Sequence, residues 1–68
     1  MKEFQERMKE LREAKNLTYY AVAKATGFDP KSITRWENGI QIPNIETLVT
    51  LANFFGVTTD FLLGRTEY

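Results

Sequence analysis

The sequence predicts an all-α chain, a compact bundle of five short helices, and three observations carry that expectation. Apolar residues recur three and four apart, as in Phe4, Met8 and Leu11 and again in Leu48, Leu51, Ala52 and Phe55. That is the period of a helix with one buried face. Polar caps at Thr18, Asp29, Asn44 and Thr58 alternate with glycines at 27, 39, 56 and 64, the order in which helices start and stop. No segment alternates apolar and polar residues between hairpin turns, so no strand is expected.

The elements follow in order. Phe4, Met8 and Leu11 set the first helix, with charges from Lys2 to Lys15 around them and an end near Asn16. Thr18 caps a second helix of about two turns, with Ala21, Val22 and Ala25 available to its inner face. Gly27 closes it, because glycine tolerates the left-handed conformation at a helix end. Asp29-Pro30 pairs a capping carboxylate with proline at the first helical position. The third helix then runs to about Asn38 and stops at Gly39, with Ile33 and Trp36 inward by spacing. Ile40-Gln41-Ile42-Pro43 reads as a loop. Asn44 caps a fourth helix that Gly56 ends, and Thr58 caps a short fifth carrying Phe61 and Leu62. Met8, Leu11, Leu48 and Phe55 are core by this reading.

Bulk properties narrow the function. Sixty-eight residues make one small domain with little stability in reserve. At 43% hydrophobic and 26% charged, the chain is globular rather than disordered. It has no cysteine and no histidine, which removes disulfides, thiolate metal sites and the commonest metal ligand and general base. No catalytic carboxylate pair stands out, so neither an enzyme nor a cofactor or metal is expected. No apolar run reaches membrane-spanning length and the N-terminus begins no signal peptide, which makes a cytoplasmic protein the expectation. Nine basic and nine acidic residues cancel. Residues 1–17 and 18–42 each carry a net charge of +1 and residues 43–68 carry −2, so positive charge leans weakly toward the N-terminal two-thirds.

Two short helices separated by a glycine turn and a fresh cap, over about 18–38, have the layout of a helix-turn-helix. In that motif the second helix is offered to the major groove of DNA. With Ile33 and Trp36 inward, Lys31, Ser32 and Arg35 face outward and are the candidate base readers. Arg35 leads them, since a guanidinium makes a bidentate contact with guanine. Thr34 lies toward the side of the helix and could meet the DNA backbone.

The ordered pieces MKELREAKNLT at 8–18, AVAKATGF at 21–28, SITRWENG at 32–39 and PNIETLVTLANFFGVTTDFLLG at 43–64 carry a resemblance that covers almost the whole chain. The chain resembles the phage-repressor-like helix-turn-helix family of the Cro and cI repressors and the XRE-type regulators. The resemblance implies a lambda-repressor-like DNA-binding domain in which Arg12 pairs with Glu37. It implies backbone contacts at Thr18, at Tyr19, at Asn38 and at the loop amides of Ile40 and Ile42. Three positions depart from the family pattern. Tyr19 stands where a phosphate-holding glutamine is usual, Pro30 where a polar base reader is common, and Ile40-Gln41-Ile42 where the loop often carries lysine or arginine.

The function expected is a sequence-specific, DNA-binding transcriptional regulator, a repressor of phage or mobile-element type. It would bind a two-fold symmetric double-stranded operator as a weak homodimer. Val49, Asn53, Phe54 and Leu63, with the tail 65–68, are the candidate dimer surface. The alternative is a helix-turn-helix module that has lost DNA binding and meets a protein through Tyr19, Tyr20, Ile40 and Ile42.

Overall fold

Helices α1 (Lys2–Ala14), α2 (Tyr19–Thr26), α3 (Pro30–Glu37), α4 (Ile45–Phe55) and α5 (Thr59–Leu62) follow one another in the computed structural model, which describes residues 2–68. No strand occurs among the described residues. All four capping residues act through their side chains. Thr18 Oγ1 accepts from the Ala21 amide at 3.0 Å, Asp29 Oδ1 from Lys31 at 2.8 Å, Asn44 Oδ1 from Thr47 at 2.8 Å and Thr58 Oγ1 from Phe61 at 3.0 Å. Each bond satisfies an amide that the first helical turn would leave unpaired, an effect of about 1 kcal/mol per cap.

The first helix ends at Ala14, two residues before Asn16, which adopts φ 55°. The Asn16 amide donates to the Glu13 carbonyl at 2.9 Å and the Leu17 amide to the Arg12 carbonyl at 3.0 Å. This left-handed closure turns the chain sharply into α2. Gly27 does the same at the end of α2, at φ 84°, with its amide on the Ala23 carbonyl at 2.8 Å. A Cβ there would meet open space, so the cost of a side chain is backbone strain alone. Gly27→Ala should therefore lower stability by about 1–2 kcal/mol, read as a lower midpoint in a thermal melt followed by circular dichroism. An unchanged midpoint would contradict the strained turn.

Phe4, Met8, Val22, Ala23, Ile33, Trp36, Leu51, Ala52, Phe55 and Leu62 form the buried core. α2 packs most extensively against α3, α1 lies across α3 and α5, and α4 joins α2 to α5. The expected inner face of α2 needs correction. Val22 and Ala23 are buried, Ala21 is half-buried and Ala25 is exposed. In an eight-residue helix the buried strip is narrow, and Val22 sets its centre. Leu11 and Leu48 are half-buried at the margin of the core rather than inside it.

Candidate nucleic-acid interface

The motif is held together by one polar contact in its interior. Glu37, the last residue of α3, buries its side chain to 2% exposure, and Arg12 of α1 reaches it at 12% exposure. The guanidinium donates from Nε to Oε2 at 2.7 Å and from Nη2 to Oε1 at 3.1 Å, a bidentate pair. Its third donor, Nη1, reaches the Leu17 carbonyl at 2.9 Å. The guanidinium also stacks over the Tyr19 ring, 4.3 Å from the centroid. One side chain thus ties α1, the α1–α2 turn, the start of α2 and the end of α3. The hydrogen bonds to Glu37 raise the Arg12 pKa above its ordinary value, with burial opposing them, so the pair stays charged on the Arg12 side at any working pH. Gln5 adds a longer bond from Nε2 to the Glu37 carbonyl at 3.4 Å.

With Ile33, Trp36 and Glu37 buried, the opposite side of α3 is free. Lys31 and Arg35 are exposed and four residues apart, which places them on one face. Neither makes an ion pair among the described residues. Ser32 is half-buried beside them, and Pro30 is half-buried at the head of the helix. Trp36 meets Phe28 edge-on, with ring centroids 5.4 Å apart, so α3 is seated on an aromatic contact directly behind its free face.

The residues expected at the DNA backbone divide by what their polar atoms already do. Thr18 is exposed, and its hydroxyl accepts from Ala21 while its own proton stays free. At the start of α2 the Tyr19 and Tyr20 amides have no protein acceptor among the described residues. Tyr19 is half-buried with its ring held under Arg12, and no described residue hydrogen-bonds its phenol. The Asn38 side chain is exposed.

Two of the expected backbone donors are already engaged within the fold. The Thr34 hydroxyl donates to the Pro30 carbonyl at 3.1 Å, so it has no proton left for a phosphate, which only accepts. The Ile40 amide donates to the Arg35 carbonyl at 2.9 Å, closing α3 beyond Gly39 at φ 74°. A phosphate there would compete with that bond. The Ile42 amide has no protein acceptor among the described residues.

The proposed dimer residues also divide. Val49 and Asn53 are exposed, Leu63 is half-buried, and Phe54 packs edge-on against Phe55 with centroids 4.9 Å apart. Tyr20 and Lys24 are four apart and both exposed on α2; the sequence pointed to Tyr20 only as part of a protein-binding face and to Lys24 not at all. Their spacing was the available signal. Arg7 was missed as well. Its Nη1 donates to the Phe61 and Thr66 carbonyls at 2.8 and 2.6 Å, and the guanidinium lies 4.2 Å from the Phe61 ring centroid, fastening the end of α5 to α1.

The helix-turn-helix family model matches residues 8–62, and the chain belongs to that family, as its resemblance to the Cro, cI and XRE-type proteins implies. Over 65 residues it is 40% identical to the HTH-type transcriptional activator BcrR of Enterococcus faecalis, covering 96% of this chain and 32% of that protein. It is 36% identical over 64 residues to the SPbeta prophage-derived HTH-type transcriptional regulator YonR of Bacillus subtilis, covering 94% of this chain and 59% of that protein. The transcriptional regulator ImmR of the same organism is 31% identical over 61 residues, 90% of this chain and 48% of its own length. The chain therefore spans from about a third to three-fifths of these relatives. No solved structure matches it. Among the described residues, no helix is long and apolar enough to cross a membrane, and no group of three or more acidic, histidine or cysteine residues could hold a metal.

Proposed function

We propose that the chain is a sequence-specific DNA-binding transcriptional regulator that inserts α3 into the major groove. The observation that carries this reading is the free face of α3. Lys31 and Arg35 stand exposed and without ion pairs, while the opposite side of the same helix is buried against the bundle. Arg35, Lys31 and Ser32 read base edges. The Thr18 hydroxyl, the Tyr19 phenol, the free amides at the head of α2, the Asn38 side chain and the Ile42 amide hold phosphates on either side. Few of these contacts are cationic, so affinity falls less steeply with salt than for a strongly basic module.

The regulator works in the cytoplasm as a homodimer on a two-fold symmetric operator, since one recognition helix covers only a few base pairs. Its type is that of a phage or mobile-element repressor, a reading supported by similarity to a prophage-derived regulator. Because another relative is named an activator, a promoter reporter decides the sign. A repressor lowers expression, and a rise would overturn that part while leaving DNA binding intact.

Duplexes selected from a random pool, titrated by fluorescence anisotropy, test the main reading. Binding should favour selected over random duplexes and weaken with salt. Arg35→Ala should cost about 1–3 kcal/mol and relax preference at one base position, whereas Lys31→Ala weakens binding more uniformly. No salt-dependent binding at low ionic strength would sink the proposal. That outcome belongs to the second reading, a protein-interaction module without DNA binding. The exposed Ile40 and Ile42 side chains and the neutral overall charge favour it.

A further inference from the structure

The open side of α3 is not uniform. Lys31 and Arg35, four apart, put two cations on one strip of it. Pro30 and Thr34 are also four apart and each precedes one of those cations, so they form a second strip alongside the first. Both are half-buried, so part of each stays open to a partner.

Little of what this second strip offers is polar. Pro30 has no N–H, and its carbonyl accepts the Thr34 hydroxyl at 3.1 Å. That bond turns the hydroxyl back along the helix, and the methyl on the same Cβ is what the side chain has left to offer. With no charge and no free donor on either side chain, a phosphate finds nothing to bind there. Asp29, exposed at the head of the same helix, adds a carboxylate next to Pro30 that repels phosphates as well.

We propose that Pro30 and Thr34 read the C5-methyl group of one thymine, close to the guanine that Arg35 reads. The contact rests on the DNA-binding reading above, because it needs α3 in the major groove. There the base edges present donors and acceptors, and the thymine methyl is the one apolar group among them. An apolar strip on a helix in that groove therefore has one kind of base edge to meet. Four residues rise about 6 Å along a helix, which is less than two base-pair steps of about 3.4 Å. The thymine accordingly lies within about two base pairs of that guanine. Taking one methyl-sized group out of water corresponds to about fourfold in affinity.

Deoxyuridine isolates this contact, because it deletes the methyl and keeps every hydrogen-bonding group of thymine. In a duplex selected from a random pool, each thymine is replaced in turn and binding is measured by fluorescence anisotropy. One replacement, within about two base pairs of the position whose preference Arg35→Ala relaxes, should weaken binding about fourfold. The thymine-to-uracil ratio there should not change with salt, since an apolar contact releases no counterion.

Two variants at one position then make opposite predictions. Thr34→Ser keeps the hydroxyl and deletes the methyl, so it should roughly halve the ratio. Thr34→Val deletes the hydroxyl and keeps a methyl, so it should retain the ratio. A hydroxyl that contacted DNA would reverse that order. Pro30→Ala combined with Thr34→Ser should bring the ratio near one. Each variant is read as a ratio between two duplexes, so any loss of folded protein cancels. The contact is overturned if no uracil in that window weakens binding, if the double variant keeps the full ratio, or if Thr34→Val loses it while Thr34→Ser keeps it. If no duplex is bound at all, the DNA-binding reading fails and this contact falls with it. Duplexes bound without regard to the methyl overturn this contact alone.

Discussion

Glu37→Ala should leave about half of the molecules unfolded at room temperature. Its carboxylate is 2% exposed and holds Arg12 through two hydrogen bonds. Removing it leaves a guanidinium buried without its counter-charge, which costs about 3–5 kcal/mol. A core of this size supplies about that much net stability. Arg12→Ala should be comparably harmful, because it also releases the Leu17 carbonyl and uncovers Tyr19. The informative variant is the double replacement Arg12→Met with Glu37→Met. It removes both charges together and fills the space with apolar atoms, so it should be more stable than either single alanine variant. Urea denaturation followed by circular dichroism measures all four proteins. A double variant no better than the singles would show that the pair matters for its geometry rather than for the balance of buried charge.

Trp36→Ala carries the next largest effect. The indole is 8% exposed, sits in the core cluster and meets Phe28 edge-on. Truncation removes a large buried surface and leaves a cavity directly behind α3, for a loss of about 3–5 kcal/mol. The comparison that gives this meaning is Arg35→Ala, one residue earlier on the opposite, exposed face. Arg35→Ala should leave the denaturation midpoint within about 0.5 kcal/mol of the parent, as exposed substitutions do, while weakening DNA binding. Trp36→Ala should lower the midpoint and lose DNA binding only in proportion to the unfolded fraction. If Arg35→Ala destabilised the fold as strongly as Trp36→Ala, the division of α3 into a seated face and a reading face would be wrong.

Much of the fold was legible because its signals are local. Thr18, Asp29, Asn44 and Thr58 cap helices through bonds that span two or three residues, and such bonds can be read from chain spacing alone. The same holds for the buried spacing of Ile33 and Trp36 and hence for the outward placement of Lys31 and Arg35. Elsewhere spacing alone was not enough. Ala25 and Ala23 are chemically identical but lie about 200° apart around α2, and packing against the bundle buries Ala23 and leaves Ala25 exposed. The Ile40 amide looked available as a loop donor, but the left-handed Gly39 bends it back onto the Arg35 carbonyl. The Thr34 hydroxyl chose the carbonyl one turn earlier.

The sequence by itself determined the helices, their order, their caps and the face of α3 that carries Lys31 and Arg35, since hydrophobic period and capping chemistry act within a few residues. Tertiary structure alone decided how Arg12 reaches Glu37, Leu17 and Tyr19 at once. It also decided which apolar residues were left uncovered, gathering Ile40, Ile42, Ile45 and Val49 in solvent while drawing Phe54 toward the core. The physical reason is common to both. Burial and hydrogen-bond partnership depend on distances across the bundle, and those are set by how the helices cross.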